Sequence, residues 1–196
     1  MNDKLRIGFA LTGSFCTFDK AIAAARSLAA VGHDVIPIMS FNAAGMDTRF
    51  GKASEHIAAL EELSGHKVIK TIAAAEPIGP KRLLDVLVVA PCTANTAAKL
   101  ALGITDTPVT MAVKSHVRNA LPVVIAISTN DALANAAKNI GLLQSMKNYY
   151  FTPYRQDNFT AKPNSIVADF TLIGETVAEA ARGRQLQPLI LPPVIK

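Results

Sequence analysis

Residues 86–90 (VLVVA) are apolar on both faces, as in a central parallel strand covered by helices, and the chain then turns to Pro91, Thr93, Asn95 and Thr96. Three other apolar runs stop in the same manner. LRIGFAL gives way to Thr12, Gly13 and Ser14, DVIPIM to Ser40 and Asn42, and PVVIAI to Ser128, Thr129 and Asn130. Strands are predicted at 5–11, 34–40, 67–72, 86–91 and 122–128, with Pro91 ending the fourth. In an open parallel sheet the polar ends of such strands share one edge, where ligands bind at the point of strand-order reversal.

Helical periodicity fills the gaps. Phe18, Ile22, Ala25 and Ala29 predict a helix over 18–31 stopped by Gly32, and Ser54 is placed to cap another that carries Ile57, Leu60 and Leu63 up to Gly65. Thr107 and Pro108 make a cap and first turn for a helix ending near Asn119. Ile166, Phe170, Ile173, Val177 and Ala180 predict a long closing helix. The aromatic and turn-rich stretch before it predicts a last short strand and a loop, and the proline-broken tail from about 186 predicts an extended segment lying on this subunit or a neighbour. The alternation of strand and helix defines the fold class: α/β, a three-layer α/β/α sandwich with a doubly wound, mostly parallel, Rossmann-like sheet.

Composition narrows the functional classes. A chain of 196 residues, half of them apolar, supports one domain with a sizeable core. The net charge of +5 is scattered and not interleaved with aromatics, which argues against a nucleic-acid surface. No apolar run reaches membrane-spanning length and the N-terminus lacks the order of a secretory signal, so a cytoplasmic protein is expected. Cys16 and Cys92 form neither a redox pair nor a zinc pattern and are read as small buried thiols, both in cleft loops. His33, His56, His66 and His116 show no metal-like pairing and read as surface residues, so no metal is expected.

Three familiar motifs fail. Gly8 and Gly13 have the spacing of phosphate-loop glycines, but Ser14 and Phe15 stand where Lys and Ser or Thr should follow. The first loop lacks GxGxxG and the second strand ends in Met39 and Ser40 with no acid for a ribose, which disfavours a standard NAD site. No GxSxG elbow is present. What remains is an edge of small hydroxyls and helix-start N–H groups, suited to the phosphate of an otherwise uncharged cofactor.

The Thr12-Gly13-Ser14 loop, Ser40 after the second strand and the stretch APCTANTAAKLALGITD together resemble the FMN-binding, cysteine decarboxylase-like flavoproteins. The resemblance implies that FMN phosphate meets the backbone of Gly13 and Ser14 and the Ser40 hydroxyl. Thr12, Pro91, Thr93, Ala94, Asn95, Thr96 and Ser128 then lie along the cofactor, the ribityl chain and ring running past 93–96 and Ser128. It also implies a homo-oligomer built on trimers.

Two departures bear on the chemistry. The decarboxylases carry a catalytic His upstream of the Asp that opens the next strand, whereas this chain has Glu76 and Pro77 there, and proline cannot transfer a proton. Their PxMNxxM substrate loop is represented by residues 127–133, which keep Asn130 but lose the Pro and both Met. The stretches around GITDTPVTMAVKSHVRNALP, QDNFTAKPNSIVADF and GRQLQP are similar to a branch that works with a separate, nicotinamide-dependent partner on a small dicarboxylate ring. That implies NAD(P) on the partner and a substrate met by Asn130, Lys114, Arg118 and Lys162. A decarboxylase of a cysteine-derived carboxylate and a non-catalytic protein with a vestigial flavin cleft remain as alternatives.

Overall fold

Four long strands form where the apolar runs place them: β1 (Arg6–Leu11), β2 (Asp34–Met39), β3 (Val86–Cys92) and β4 (Val123–Thr129). In the computed structural model, which describes residues 4–193, they are joined by β5 (Tyr149–Phe151), β6 (Tyr154–Arg155) and β7 (Ile166–Ala168). The seven-stranded sheet has the order β2-β1-β3-β4-β7-β6, with β5 also pairing β4. β4 is shared along its length: Val123, Val124 and Ile125 pair β5 in parallel, whereas Ser128 and Thr129 pair β7 antiparallel. The parallel part, β2-β1-β3-β4-β5, reverses its winding between β1 and β3.

The helices are α1 (Phe18–Ala30), α2 (Phe41–Gly45), α3 (Ala53–Ser64), α4 (Ile72–Ala75), α5 (Ala94–Ala101), α6 (Pro108–Val117), α7 (Ala137–Ser145) and α8 (Ile173–Ala180). Helix α1 packs against α3 and α8 on one face; α5, α6 and α7 pack together on the other, with α4 against α6. The sheet is therefore mostly parallel and covered on both sides, as the sequence predicts. All seven residues of β3 are buried, which explains why its sequence shows no alternation. Gly8 on β1 makes room for its neighbours: a Cβ there would meet the methyl groups of Leu84 and Leu87, which would have to shift within the buried core.

Several local expectations are corrected. Residues 67–72 do not form a strand. Only Ile69 bridges Ile38, receiving the Met39 N–H and donating to Pro37, before Thr71 caps α4 and draws the chain off the sheet edge. Pro91 does not end β3, which continues to Cys92 through a register shift after Val89, because Cys92 pairs again with Ile127 of β4 beyond the proline. Ser54 is not a cap; α3 begins one residue earlier, with the Ala53 N–H held by Asp47 and the Lys52 N–H by Glu55. The closing helix is shorter than its apolar spacing implies. Ile166 belongs to β7, Phe170 to a 3₁₀ turn, and α8 begins only at Ile173, since β4 recruits Ile166 and Val167 into the sheet.

The tail lies on its own chain: Tyr154 N–H donates to Leu189 and Leu191 N–H to Tyr154, so residues 189–191 run beside β6. Residues 194–196 of that tail fall outside the described part. His56 and His116 are not surface residues but 8% and 1% exposed. His116 Nε2 lies 3.0 Å from the Pro122 carbonyl, and His56 stands edge-on to Phe18 with its Nε2 unpartnered.

Burial pushes the His116 imidazole down to about 4, against the partial support of Pro122 and Asp85. The neutral ring is the native form, so its contribution is complete above the ordinary histidine value of 6.5 and is lost as pH falls toward about 4. We expect the thermal midpoint, followed by circular dichroism, to drop across that window. His116→Phe should flatten the drop while lowering the midpoint at neutral pH, through loss of the donor to Pro122; an unchanged pH profile in the variant would contradict the assignment.

Candidate functional site

The C-terminal ends of β1, β3 and β4 meet around one short run of hydrogen bonds. Thr12, buried just past β1, donates its hydroxyl to the Pro91 carbonyl at 2.7 Å and accepts the Thr93 N–H at 3.1 Å. The Thr12 N–H also reaches the Pro91 carbonyl, at 3.3 Å. One side chain therefore fixes the gap between β1 and β3, the point of winding reversal where open sheets bind ligands.

Each neighbouring loop is held by small hydroxyls. Ser14 Oγ and Ser128 Oγ lie 3.0 Å apart, Thr17 Oγ1 donates to the Ser14 carbonyl at 2.8 Å and sits 3.4 Å from Ser128 Oγ. Thr93 caps α5 by accepting the Thr96 N–H at 3.2 Å, worth about 1 kcal/mol. The first-turn N–H groups of Ala94 and Asn95, which a helix leaves without intrahelical partners, then face the same edge.

Gly13 is informative because nothing within the chain demands it. A Cβ there would make only ordinary contacts, 3.6 Å from the Phe15 ring and 3.9 Å from Asn42 Cβ. Its absence leaves the backbone open to close approach by something outside the chain.

A cavity of about 310 Å³ opens between these loops, lined among others by Gly13, Ser14, Cys16, Thr93, Ser128 and Asn130. That volume is at the small end for ligand clefts. The charged residues on its wall are Asp131, Asp157 and Lys162. Asp131 is fixed by the Thr129 hydroxyl at 2.6 Å. Burial opposes ionisation of Asp157, yet Ser165, Lys162 and the Asn158 N–H together hold it below the usual carboxylate value.

The structure thus gathers Thr12, Gly13, Ser14, Pro91, Thr93, Ala94, Thr96, Ser128, Asn130 and Lys162 at one edge. Ser40 sits at the adjoining strand end, where its N–H donates to Leu11 and its hydroxyl caps α2 through Ala43, outside the cavity wall. Asn95 is exposed on the first turn of α5. Lys114 and Arg118 are not brought to the cleft. They lie at the C-terminal end of α6, which leads into the start of β4, and so occupy the opposite edge of the sheet. Glu76 and Pro77 form a 3₁₀ turn packed on α6.

The two thiols separate. Cys92 is buried in β3, and burial pushes its thiol up to about 12, whereas Cys16 is exposed on the cleft wall. Sequence reasoning missed Thr17, Asp131, Asp157 and Ser165 on that wall. Asp157 and Ser165 sit in an irregular loop with no periodicity to announce which way they face. Among the described residues no group of three or more His, Cys, Asp and Glu is gathered, and no helix is long and apolar enough to cross a membrane.

This doubly wound sheet with its hydroxyl-lined edge agrees with the comparisons with known proteins. The family model described as Flavoprotein matches residues 1–178, and the chain belongs to that family. Within it, the chain is 45% identical over 186 residues to the B subunit of dipicolinate synthase from Bacillus subtilis (strain 168), covering 95% of this chain and 93% of that protein. The crystal structure of the dipicolinate synthase B subunit from Bacillus halodurans C superposes with a TM-score of 0.91 at 40% identity, over 99% of this chain and 100% of that one. The FMN-dependent cysteine decarboxylase SpaF shares the fold, with a TM-score of 0.66 at 24% identity over 90% of this chain and 97% of its own.

The Thr12 clip should be measurable. Thr12→Val keeps the shape but leaves the Thr93 N–H without its acceptor, and we expect a loss of about 1–3 kcal/mol in urea unfolding. A change below a few tenths would mean that the hydroxyl is dispensable.

Proposed function

We propose that this chain is the flavoprotein-like component of a dipicolinate synthase, forming dipicolinate from a dihydrodipicolinate-derived precursor. Its expected setting is the mother-cell cytoplasm of a sporulating bacterium. The near full-length likeness to the B subunit of dipicolinate synthase carries this reading. The nicotinamide cofactor, NAD(P), belongs in this reading to a separate partner, the A subunit of dipicolinate synthase, and the chain works as a trimer-based homo-oligomer.

The residues of the cleft suit FMN. The open backbone of Gly13 and Ser14 and the Ser40 hydroxyl would hold its phosphate, while Thr93, Ala94, Asn95, Thr96 and Ser128 would follow the ribityl chain and ring. Thr12 and Pro91 set the spacing of those loops. When bound, the flavin supplies a two-electron acceptor beside the substrate. The chain's own part is to bind and orient a small dicarboxylate, with Asn130 and Lys162 at the cleft wall as polar contacts.

Titration of the purified chain with FMN, followed by quenching of flavin fluorescence, should saturate near one flavin per chain. Ser40→Asp, which sets a negative charge beside the phosphate position, should abolish uptake, and Gly13→Val should weaken it about tenfold or more while both variants keep the wild-type circular dichroism spectrum. Folded variants that take up FMN unchanged would sink the phosphate assignment. Dipicolinate formation in the presence of the partner protein, and none without the chain, tests the reaction itself.

A further inference from the structure

Residues 156–165 form a loop that closes on itself. Lys162 N–H donates to Asn158 at 2.8 Å, Ala161 N–H to Asn158 Oδ1 at 2.9 Å, Gln156 Nε2 to Pro163 at 2.8 Å and Ser165 N–H to Lys162 at 3.0 Å. One further bond fastens it to the β4–α7 connection, Leu133 N–H to Asn164 at 3.0 Å, and Ser165 Oγ stands 3.4 Å from Asn130 Oδ1. None of these bonds uses the Lys162 ammonium, so the backbone that presents it stands without it.

The ammonium itself rests on Asp157, 3.4 Å away. Every other ion pair among the described residues closes to between 2.7 and 3.0 Å. Beyond about 3 Å a charge-assisted bond has lost much of its strength, and both partners here are open to solvent, the side chains 51% and 33% exposed. The pair also stands between two spaces. Asp157 and Lys162 line the 310 Å³ cleft on one side and, on the other, a groove of about 900 Å³ between α1 and the residues leading into α8.

The charge balance gives this loose pair its significance. The cleft wall carries Asp131 and Asp157 against the single cation Lys162, so its own carboxylates compete with a dicarboxylate for that cation. Asp131 is held by Thr129, which leaves Lys162 as the group able to change partner.

We propose that Lys162 is the carboxylate-reading residue of the cleft and Asp157 its internal competitor, the ammonium passing from Asp157 to a carboxylate of an entering aromatic dicarboxylate. The inference rests on the dicarboxylate reading above and adds the device that selects such a ligand. An uncharged ring leaves the pair closed, whereas a ligand with a carboxylate near the ammonium takes it over. Asn130, whose side-chain oxygen lies 3.4 Å from the Ser165 hydroxyl, keeps its amide N–H groups as donors beside the same position. Asp157 is a positioning residue here, setting where Lys162 waits and how strongly a ligand must compete for it.

The two charges predict opposite signs, which a merely structural role would not. Calorimetric titration of the full chain with pyridine-2,6-dicarboxylate, in saturating FMN, should show Lys162→Met binding about tenfold more weakly and Asp157→Asn binding about five- to tenfold more tightly than wild type. Asn at 157 retains an oxygen for the Asn158 N–H, and circular dichroism should confirm that both variants are folded. A D157N variant that binds no more tightly, or a K162M variant that binds no more weakly, overturns the proposal. Normal FMN uptake with no dicarboxylate binding by wild type or D157N overturns it and leaves the flavin reading standing. The predicted opposite shifts without FMN uptake support it and remove the flavin instead.

Discussion

One hydroxyl sets the geometry on which the site depends. Thr12 Oγ1 joins the end of β1 to the Pro91 carbonyl and the Thr93 N–H, across the gap where the winding of the sheet reverses. Without it only the Thr12 N–H would still reach the Pro91 carbonyl, and the half-buried Thr93 N–H would lose its acceptor. The register shift in β3 between Val89 and Cys92 belongs to the same constraint, because it turns the Pro91 carbonyl toward Thr12 rather than leaving it in the regular ladder.

From that clip the cleft is built mainly by hydroxyls that also perform structural work. Thr93 caps a helix, Thr17 closes a turn, and Ser14 and Ser128 bridge two strand ends. Such side chains are short, lose little rotamer entropy and can serve as donor or acceptor. They give a polar surface without a fixed charge, and the charged residues of the wall are confined to Asp131 and the loop carrying Asp157 and Lys162. The rigid strand ends and the self-bonded loop thus divide the labour between neutral and ionic recognition.

The main strands and the cleft edge were legible because burial on both faces leaves an unmistakable signature, as in residues 86–90, and because Thr and Ser at strand ends announce helix starts. Local expectations failed where a neighbouring cap or a long-range pairing outweighed the local pattern. Residues 67–72 look like a strand but Thr71 finds a helix to cap, and Ile166 fits a helical stripe but β4 has free ladder positions for it. Lys114 and Arg118 illustrate another limit: their chemistry is right for a dicarboxylate, but only the direction of α6 relative to β4 reveals that they lie at the far edge. Asp157 could not be foreseen at all, since an irregular loop carries no period that fixes which side chains turn inward.

The pairing of residues 189–191 with Tyr154 has a consequence for how the molecule meets its copies in a crowded solution. β6 would otherwise end the sheet with an open row of donors and acceptors, the usual template for uncontrolled strand addition. The tail occupies that row, and Pro188, Pro192 and Pro193, which have no N–H to offer, flank the added segment. The exposed Ile190 side chain therefore sits on a backbone whose capacity to recruit further strands is curtailed.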